Sequence, residues 1–468
     1  MSMERRERQK LNRKQCSSVG TPSPTHQKKM TVDSVKLELQ SNSWLRIRLS
    51  AKDKEKVFTN LFCHFNVVNF RAAFRALDGS KAIGIDNITK GEYGKNLEEN
   101  LEALTKRLHT ETYRPQPKRE VLIPKANGKM RPIAIAAFED KLVEWIAREL
   151  LSSLYEPHFK ELSYGFRPKR SAAQAIKHFY CGLKDNKRSH VVEIDFSSFF
   201  NTVPHRPLIK MLEKRIGDRR FLSLISRLLE AEIKRSTGET ESSTLGTPQG
   251  SIVSPVLANI YLHYVIDEWF SKHYHPKGAI AVRYADDVVY SFKSEAEAKE
   301  FAQAFAKRVK DYRLIINEEK SKTIDFRPRS GNVFNFLGFT FYWGQDRGSR
   351  KKKLKIKTSK QTLYKKTQEF TEWLKENRNK TRLSELWAIT AAKLRGHYNY
   401  YGFAVNRPKL VHFYHETIRA LFFWLNRRSQ RKSFTWKKFD QKLRNEPLPQ
   451  PPPSTALKYL VDRSTYVN

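Results

Sequence analysis

Two short acidic segments interrupt a chain that is otherwise strongly basic, and both are set in apolar surroundings. In HVVEIDFSSFF, residues 190–200, strand alternation sets Val192, Ile194 and Phe196 on one face and Glu193 and Asp195 on the other, so an acid ends a half-buried strand. A carboxylate in that position needs a compensating partner. In IAVRYADDVVYSF, residues 280–292, two β-forming runs enclose Asp286-Asp287, which predicts a hairpin with adjacent acids at its tip. Bringing Asp195 to Asp286 without cations would cost roughly 4 kcal/mol, the repulsion of unit charges about 4 Å apart at an effective dielectric of about 20. Divalent ions remove that conflict. Magnesium is suited to it, as a hard ion held by one or two carboxylates plus substrate phosphates, and a pair of such ions clamps the attacking and leaving oxygens of a phosphoryl transfer. No histidine adjoins either acid, which disfavours zinc. Taken alone, each segment reads equally well as an acidic surface turn.

Cations and pliable loops occur elsewhere in the chain. In IPKANGKMRP, Lys125 and Arg131 flank Asn127-Gly128, a strong hairpin signal, so one finger would present two positive charges to a triphosphate. LGTPQGSIVSPVLANIYL, residues 245–262, places glycines and a proline before an apolar helix, a backbone able to approach a ligand closely. INEEKSK supplies Lys320 and Lys322. LRGHYNYYG, residues 394–402, interleaves Arg395 and His397 with Tyr398, Tyr400 and Tyr401, a combination suited to irregular RNA with unpaired bases, or to a helix packed against its neighbour.

Tyr284-Ala285-Asp286-Asp287 resembles the Tyr-x-Asp-Asp signature of reverse transcriptases, and Asp195 with Phe199-Phe200 resembles their Asp-x-x-x-[Phe/Tyr]-Phe segment, in the same order. The resemblance implies an RNA-directed DNA polymerase in which Asp195 and Asp286 bind two Mg²⁺ ions. Asp287 would assist, and the carbonyl of Phe196 would complete one metal shell. It further implies that Lys125 and Arg131 contact the incoming deoxynucleoside triphosphate, that Phe200 bars the ribose 2′-hydroxyl, and that Pro248, Gln249 and Gly250 form the nucleotide loop. Lys320 would be a cation near the triphosphate. SYGFRPKRS, residues 163–171, resembles a segment of the group II intron branch, which makes Arg167 and Arg170 expected RNA contacts, and FNFLGFTF resembles the strand pair that holds the primer end. LRGHYNYYG resembles the maturase motif, so Arg395, His397, Tyr398, Tyr400 and Tyr401 are expected to meet intron RNA. The resemblance covers about residues 55–440. Its implied partners are group II intron RNA, an RNA template with a DNA primer, deoxynucleoside triphosphates and target DNA. Many members carry a Cys-rich nuclease domain, but no cysteine follows Cys181, so second-strand cleavage is not expected and priming from nascent or single-stranded DNA is. Two rival readings are a splicing cofactor without polymerase activity and a polymerase recruited to phage defence or a CRISPR locus. Intact Asp195, Asp286, Asp287 and Gln249 oppose the first, and no fused extra domain supports the second.

The elements that must position these residues follow from periodicity. Strand-like EVLIPK, KMRPIAI, HVVEIDF and IAVRYADDVVYSF alternate with helical FEDKLVEWIARELLSSLY, which predicts a mixed α/β (α+β) body with an antiparallel sheet. The resemblance makes it a right-hand polymerase. Residues 1–55 are expected to be a basic extension with little order, 56–345 the fingers and palm, 346–445 a helical thumb and maturase domain, and 446–468 a Pro-rich tail too stiff for a helix. Residues 344–357 are a basic composition break and the expected boundary. Beyond it Leu410, Phe413, Tyr414, Ile418, Leu421, Phe422 and Leu425 form one apolar helical stripe. The 88 Lys and Arg against 49 Asp and Glu give a net charge of +39, an excess that points to a polyanionic partner, nucleic acid before membrane. Three scattered cysteines argue against a disulfide framework or zinc cluster and for a reducing compartment. No apolar run is long enough to span a membrane, so a bacterial cytoplasmic location is expected, while the oligomeric state stays open.

Overall fold

The computed structural model describes residues 43–124, 130–185, 187–242, 245–345, 351–428 and 434–460. Residues 44–468 form one compact unit, and nearly all of the other unit, residues 1–43, lies outside the described residues. Order begins earlier than expected. Residues 44–50 are helical, and Trp44 and Ile47, one turn apart, lay their side chains against the core that buries Ala51.

The predicted strand pair near residue 125 is present: β1 (Lys118–Pro124) runs antiparallel to β2 (Met130–Ile135), with Ile123 opposite Arg131. β1 also pairs in parallel with β4 (Ile233–Lys234), which pairs with β5 (Thr240–Glu241). Lys125 and the Asn127-Gly128 turn lie outside the described residues. A second sheet has the order β6-β7-β3-β8 and is antiparallel throughout, formed by β3 (His190–Ile194), β6 (Ile280–Tyr284), β7 (Asp287–Phe292) and β8 (Lys322–Asp325).

Both faces of this second sheet are covered, which explains its near-continuous apolar sequence. Val192, Ile194, Val288 and Tyr290 face a core shared with helix α1 (Phe138–Tyr155), helix α3 (Ser254–Leu262) and helix α4 (Glu295–Asp311). Val191, Val282 and Val289 face the other way, into a core shared with helix α2 (Ala172–Leu183) and with β9 (Phe334–Phe336), β10 (Phe339–Gln345) and β11 (Lys352–Thr358). β9 and β10 turn through Leu337 and Gly338, both at positive φ, which is the backbone of a type I′ hairpin.

The basic break at residues 344–357 falls inside the β10–β11 hairpin. Leu354 and Ile356 are buried between Lys353, Lys355 and Lys357, so the lysine run is one polar edge of a packed strand. Helices follow from Lys360: α5 (Lys360–Asn377), α6 (Leu383–Tyr401), α7 (Arg407–Leu425) and α8 (Trp436–Asn445). The apolar stripe of α7 is buried at Leu410, Phe413, Leu421 and Leu425. The Pro-rich segment is more than a surface tail. Leu448, Leu457 and Leu460 are buried, Pro449 and Pro452 accept hydrogen bonds from Tyr398 and Arg407, and Lys458 bonds through its backbone to Gly402 and Ala404. Residues 461–468 lie outside the described residues, among which no helix is long and apolar enough to cross a membrane.

Candidate active site

Strand register brings the acids to one place. Ile194 stands opposite Val288 across β3 and β7, so Asp195, one residue beyond the ladder, emerges beside Asp287. Tyr284 pairs with Asp287, leaving Ala285 and Asp286 as a two-residue turn. Ala285 takes φ +59°, a conformation that such a turn normally reserves for glycine. The chain around Asp195 is held from its other side: its N–H donates to Ser321 Oγ (3.1 Å), and its carbonyl accepts from the N–H of Asn317 (2.8 Å). Phe196 bridges Ile316 and buries its ring against Phe199 and Phe305. Ser198, at φ +52°, then turns the chain into the short helix Phe199–Thr202.

The acids share one electric field. Burial raises the pKa of Asp286, and repulsion from Asp195 adds to it, while Arg131 and Arg283 pull it back. Burial, then Asp286 and then Asp195, push Asp287 up to about 6 against the pull of Lys320. The Lys320 ammonium sits 3.3 Å from Asp195 Oδ2 on a side chain 67% exposed. Glu193, on the same strand face, is pushed up to about 7, chiefly by burial. Half-buried carboxylates gathered in this way are an oxygen-donor set that fits a hard divalent cation. Among the described residues no three His, Cys, Asp or Glu side chains already close round one point, so protein oxygens would fill only part of a metal shell.

Behind the hairpin lies a support that the sequence reading did not find. Arg283, on β6, is 0% exposed, and all five of its N–H groups are used. Nε and Nη2 donate to the two oxygens of Asp267 (2.8 and 2.5 Å), Nη1 to Asn259 Oδ1 and the Ala285 carbonyl (both 2.9 Å), and Nη2 also to Ser163 Oγ (2.8 Å). Asn259 in turn donates to the carbonyl of Gly165 (2.7 Å). Gly165 lies so close to the turn that a Cβ there would stand 2.3 Å from the nitrogen of Ala285. The available signal was a pair of lone opposite charges, Arg283 in an apolar strand and Asp267 at the end of YLHYVID.

A cleft of about 330 Å³ opens beside Phe200 and is lined by Pro132, Ala134, Gly246, Pro248 and Gln249. Gln249 accepts a hydrogen bond on its carbonyl from the Ala134 N–H (2.7 Å). Gly250, at φ +107°, comes so close to β2 that a Cβ would lie 2.7 Å from the Ala134 carbonyl. Arg131 is exposed on the same strand and its charge acts on Asp286. The ring of Phe200 meets that of Phe166, next to Gly165, at 6.4 Å, which ties the cleft to the acidic hairpin.

The expected RNA contacts divide. Arg167 is buried: it pairs with Glu156, donates to the carbonyls of Lys160 and Ser163, and lies over Phe159, so it holds the loop instead of facing solvent. Arg170 is partly exposed, 2.7 Å from Glu161. On α6 the helical period turns Leu394, His397, Tyr398 and Tyr401 inward and leaves Arg395 and Tyr400 outward. Tyr398 donates to the Pro449 carbonyl, Tyr401 packs on Phe339, and His397 stacks on Phe413 at 3.8 Å. Burial lowers the pKa of His397 to about 4.

Residues 123–341 match the family model described as reverse transcriptase (RNA-dependent DNA polymerase). The chain is 33% identical to protein YkfC of Escherichia coli K12, across 56% of this chain and 76% of that one. It is 39% identical to a 91 kDa protein in the cob intron of Schizosaccharomyces pombe, across 39% and 22% of the two chains. With the group II intron-encoded protein LtrA of Lactococcus lactis it shares 35% identity, across 46% of this chain and 36% of that one. The match therefore spans most of the first relative and about a third or less of the other two.

Proposed function

This chain belongs to the reverse transcriptase family, in the branch that group II introns encode, and we propose that it extends a DNA primer along an RNA template and binds intron RNA to assist splicing. The observation that supports the polymerase reading most is the register that sets Asp195 beside Asp287, with Asp286 at the adjoining tip. The family is in general dependent on divalent metal. Asp195, Asp286, Asp287 and the carbonyl of Phe196 would hold two Mg²⁺ ions, which supply charge stabilisation to an in-line phosphoryl transfer. Arg131, with Lys125 and Lys320, neutralises the triphosphate of the incoming deoxynucleotide. Pro248, Gln249 and Gly250 shape the floor on which its base and sugar rest. Phe200 closes the side on which a 2′-hydroxyl would project.

The helical segment, through Arg395 and Tyr400, together with Arg170, is the proposed contact with structured intron RNA. Target DNA and the bacterial cytoplasm complete the proposed setting. In a primer-extension assay Asp286→Ala abolishes polymerisation while RNA affinity stays within about twofold, because the substitution removes a metal ligand and no phosphate contact. A variant that keeps most of its activity overturns the assignment of the site. Affinity for intron RNA falls steeply with salt, and a flat response in filter binding overturns phosphate-dominated contact.

A further inference from the structure

Helices α5, α6 and α7 enclose a pocket of about 500 Å³ that polymerase chemistry does not use. Its walls include Phe413, Tyr400 and the edge of His397, and Lys366 and Lys393 line it from neighbouring helices beside Glu369, which pairs with Lys366 (2.8 Å). Three observations say that it is built to receive something. First, His397 is 7% exposed, yet its Nε2 has no hydrogen-bond partner. A buried, neutral imidazole nitrogen left unpaired is destabilising unless a visiting group satisfies it. Second, Gly396 sits inside the long helix α6, where glycine weakens the helix relative to alanine, and a Cβ at that position would meet nothing within 4 Å. No protein neighbour and no positive φ requires glycine there, and the pocket wall at that point carries no side chain. Third, Tyr400 stands at the pocket while being 41% exposed, with its hydroxyl donating to the carbonyl of Leu337 (3.3 Å) in the β9–β10 turn.

The occupant must be flat enough to lie among aromatic rings, must carry a polar edge for His397 Nε2, and must be joined to negative charge that Lys393 and, in exchange for Glu369, Lys366 can meet. A nucleobase on a phosphate backbone has all three properties, and RNA is recognised mainly through bases that have left the helical stack. We propose that this pocket takes one unpaired nucleobase swung out of bound RNA, its edge bonded to His397 and its neighbouring phosphates beside Lys366 and Lys393. The proposal rests on the reading that the helical segment binds RNA.

The test uses the full chain and three RNA hairpins of equal length: fully paired, with one bulged adenosine, and with an abasic residue in place of that adenosine. The wild type is expected to bind the bulged hairpin roughly tenfold more tightly than the other two, the scale of one stacked base. Gly396→Phe fills the pocket and is expected to bind all three alike, whereas Gly396→Ala keeps the preference. His397→Phe keeps the stack on Phe413 but removes the nitrogen, and it reduces the preference without reducing thermal stability. Unchanged melting of Gly396→Phe shows that its loss is local. A preference retained in Gly396→Phe, or an abasic hairpin bound as tightly as the bulged one, overturns the pocket. Failure of the wild type to bind any hairpin overturns the RNA-binding reading itself.

Discussion

Replacing Arg283 with methionine tests whether the acidic hairpin is held in place or merely folded. The side chain and its partner Asp267 are both fully buried, so the single substitution leaves a carboxylate in the interior without its cation. It also strips donors from Asn259, Ser163 and the Ala285 carbonyl. Breaking a buried ion pair from one side costs roughly 3–5 kcal/mol, a large part of a typical margin of about 5–15 kcal/mol. The double variant Arg283→Met, Asp267→Leu removes both charges and regains most of that loss, because apolar side chains of similar size replace buried pairs at little cost. Neither variant restores the bond to the Ala285 carbonyl, which is the direct tie from the network to the turn carrying Asp286. Urea unfolding should therefore separate single from double variant by about 3 kcal/mol, while primer extension stays low in both. If activity returns in step with stability, the network serves folding alone. If the single variant loses under about 1 kcal/mol, the pair does not carry the load assigned to it.

Gly165→Ala drives a methyl group into the backbone of Ala285, and activity at saturating substrate should fall by on the order of a hundredfold, the cost of displacing a reacting group by about an ångström; near-normal turnover would refute the close approach. Lowering the pH from about 6.5 toward 4 should destabilise the protein through His397, since in that window the unfolded chain binds a proton that the buried imidazole refuses. This contribution is fully present above the upper value and lost on acidification, with a slope of up to about 1.4 kcal/mol per pH unit; His397→Phe should flatten it, and equal slopes in the two proteins would refute the assignment. Phe200→Val should raise ribonucleotide incorporation by on the order of tenfold with little change for deoxynucleotides, and parallel losses of both would show that the ring only supports the cleft.

The acids were legible because strand alternation and a tight apolar hairpin are local signals, and register then did what alternation implied: Asp195 and Asp287 came out on one face. The glycines of the Pro248-Gln249-Gly250 loop signalled a close backbone approach, and Gly250 makes one to β2, where any Cβ would collide. Arg283 was not, because its five partners come from four separate parts of the chain and no spacing rule joins residues 163, 259, 267 and 285. Arg167 misled for the opposite reason. It sits in a basic stretch that looks like surface, but Glu156, eleven residues earlier, draws it inward. The motif on α6 was read without the helix period, which exposes Arg395 and Tyr400, buries Tyr398 and Tyr401, and leaves His397 at the edge of a pocket. The composition break at residues 344–357 falls inside the β10–β11 hairpin, where the alternation of Leu354 and Ile356 lies beneath the charge.

The covering of the β6-β7-β3-β8 sheet on both sides limits how this molecule can be divided or recombined. Val191, Val282 and Val289 rest in the same core as Phe336, Leu394 and Leu421, and Phe339 of β10 packs on Tyr401 and Phe403, so a fragment ending near residue 345 would leave that side of the core open to water and prone to aggregation. A chimera carrying helices from a distant relative would have to rematch that inner face before it could fold. Substitutions that leave this core untouched are available on the exposed side of α6, at Arg395, whereas Tyr400 is tied by its hydroxyl to the Leu337 carbonyl.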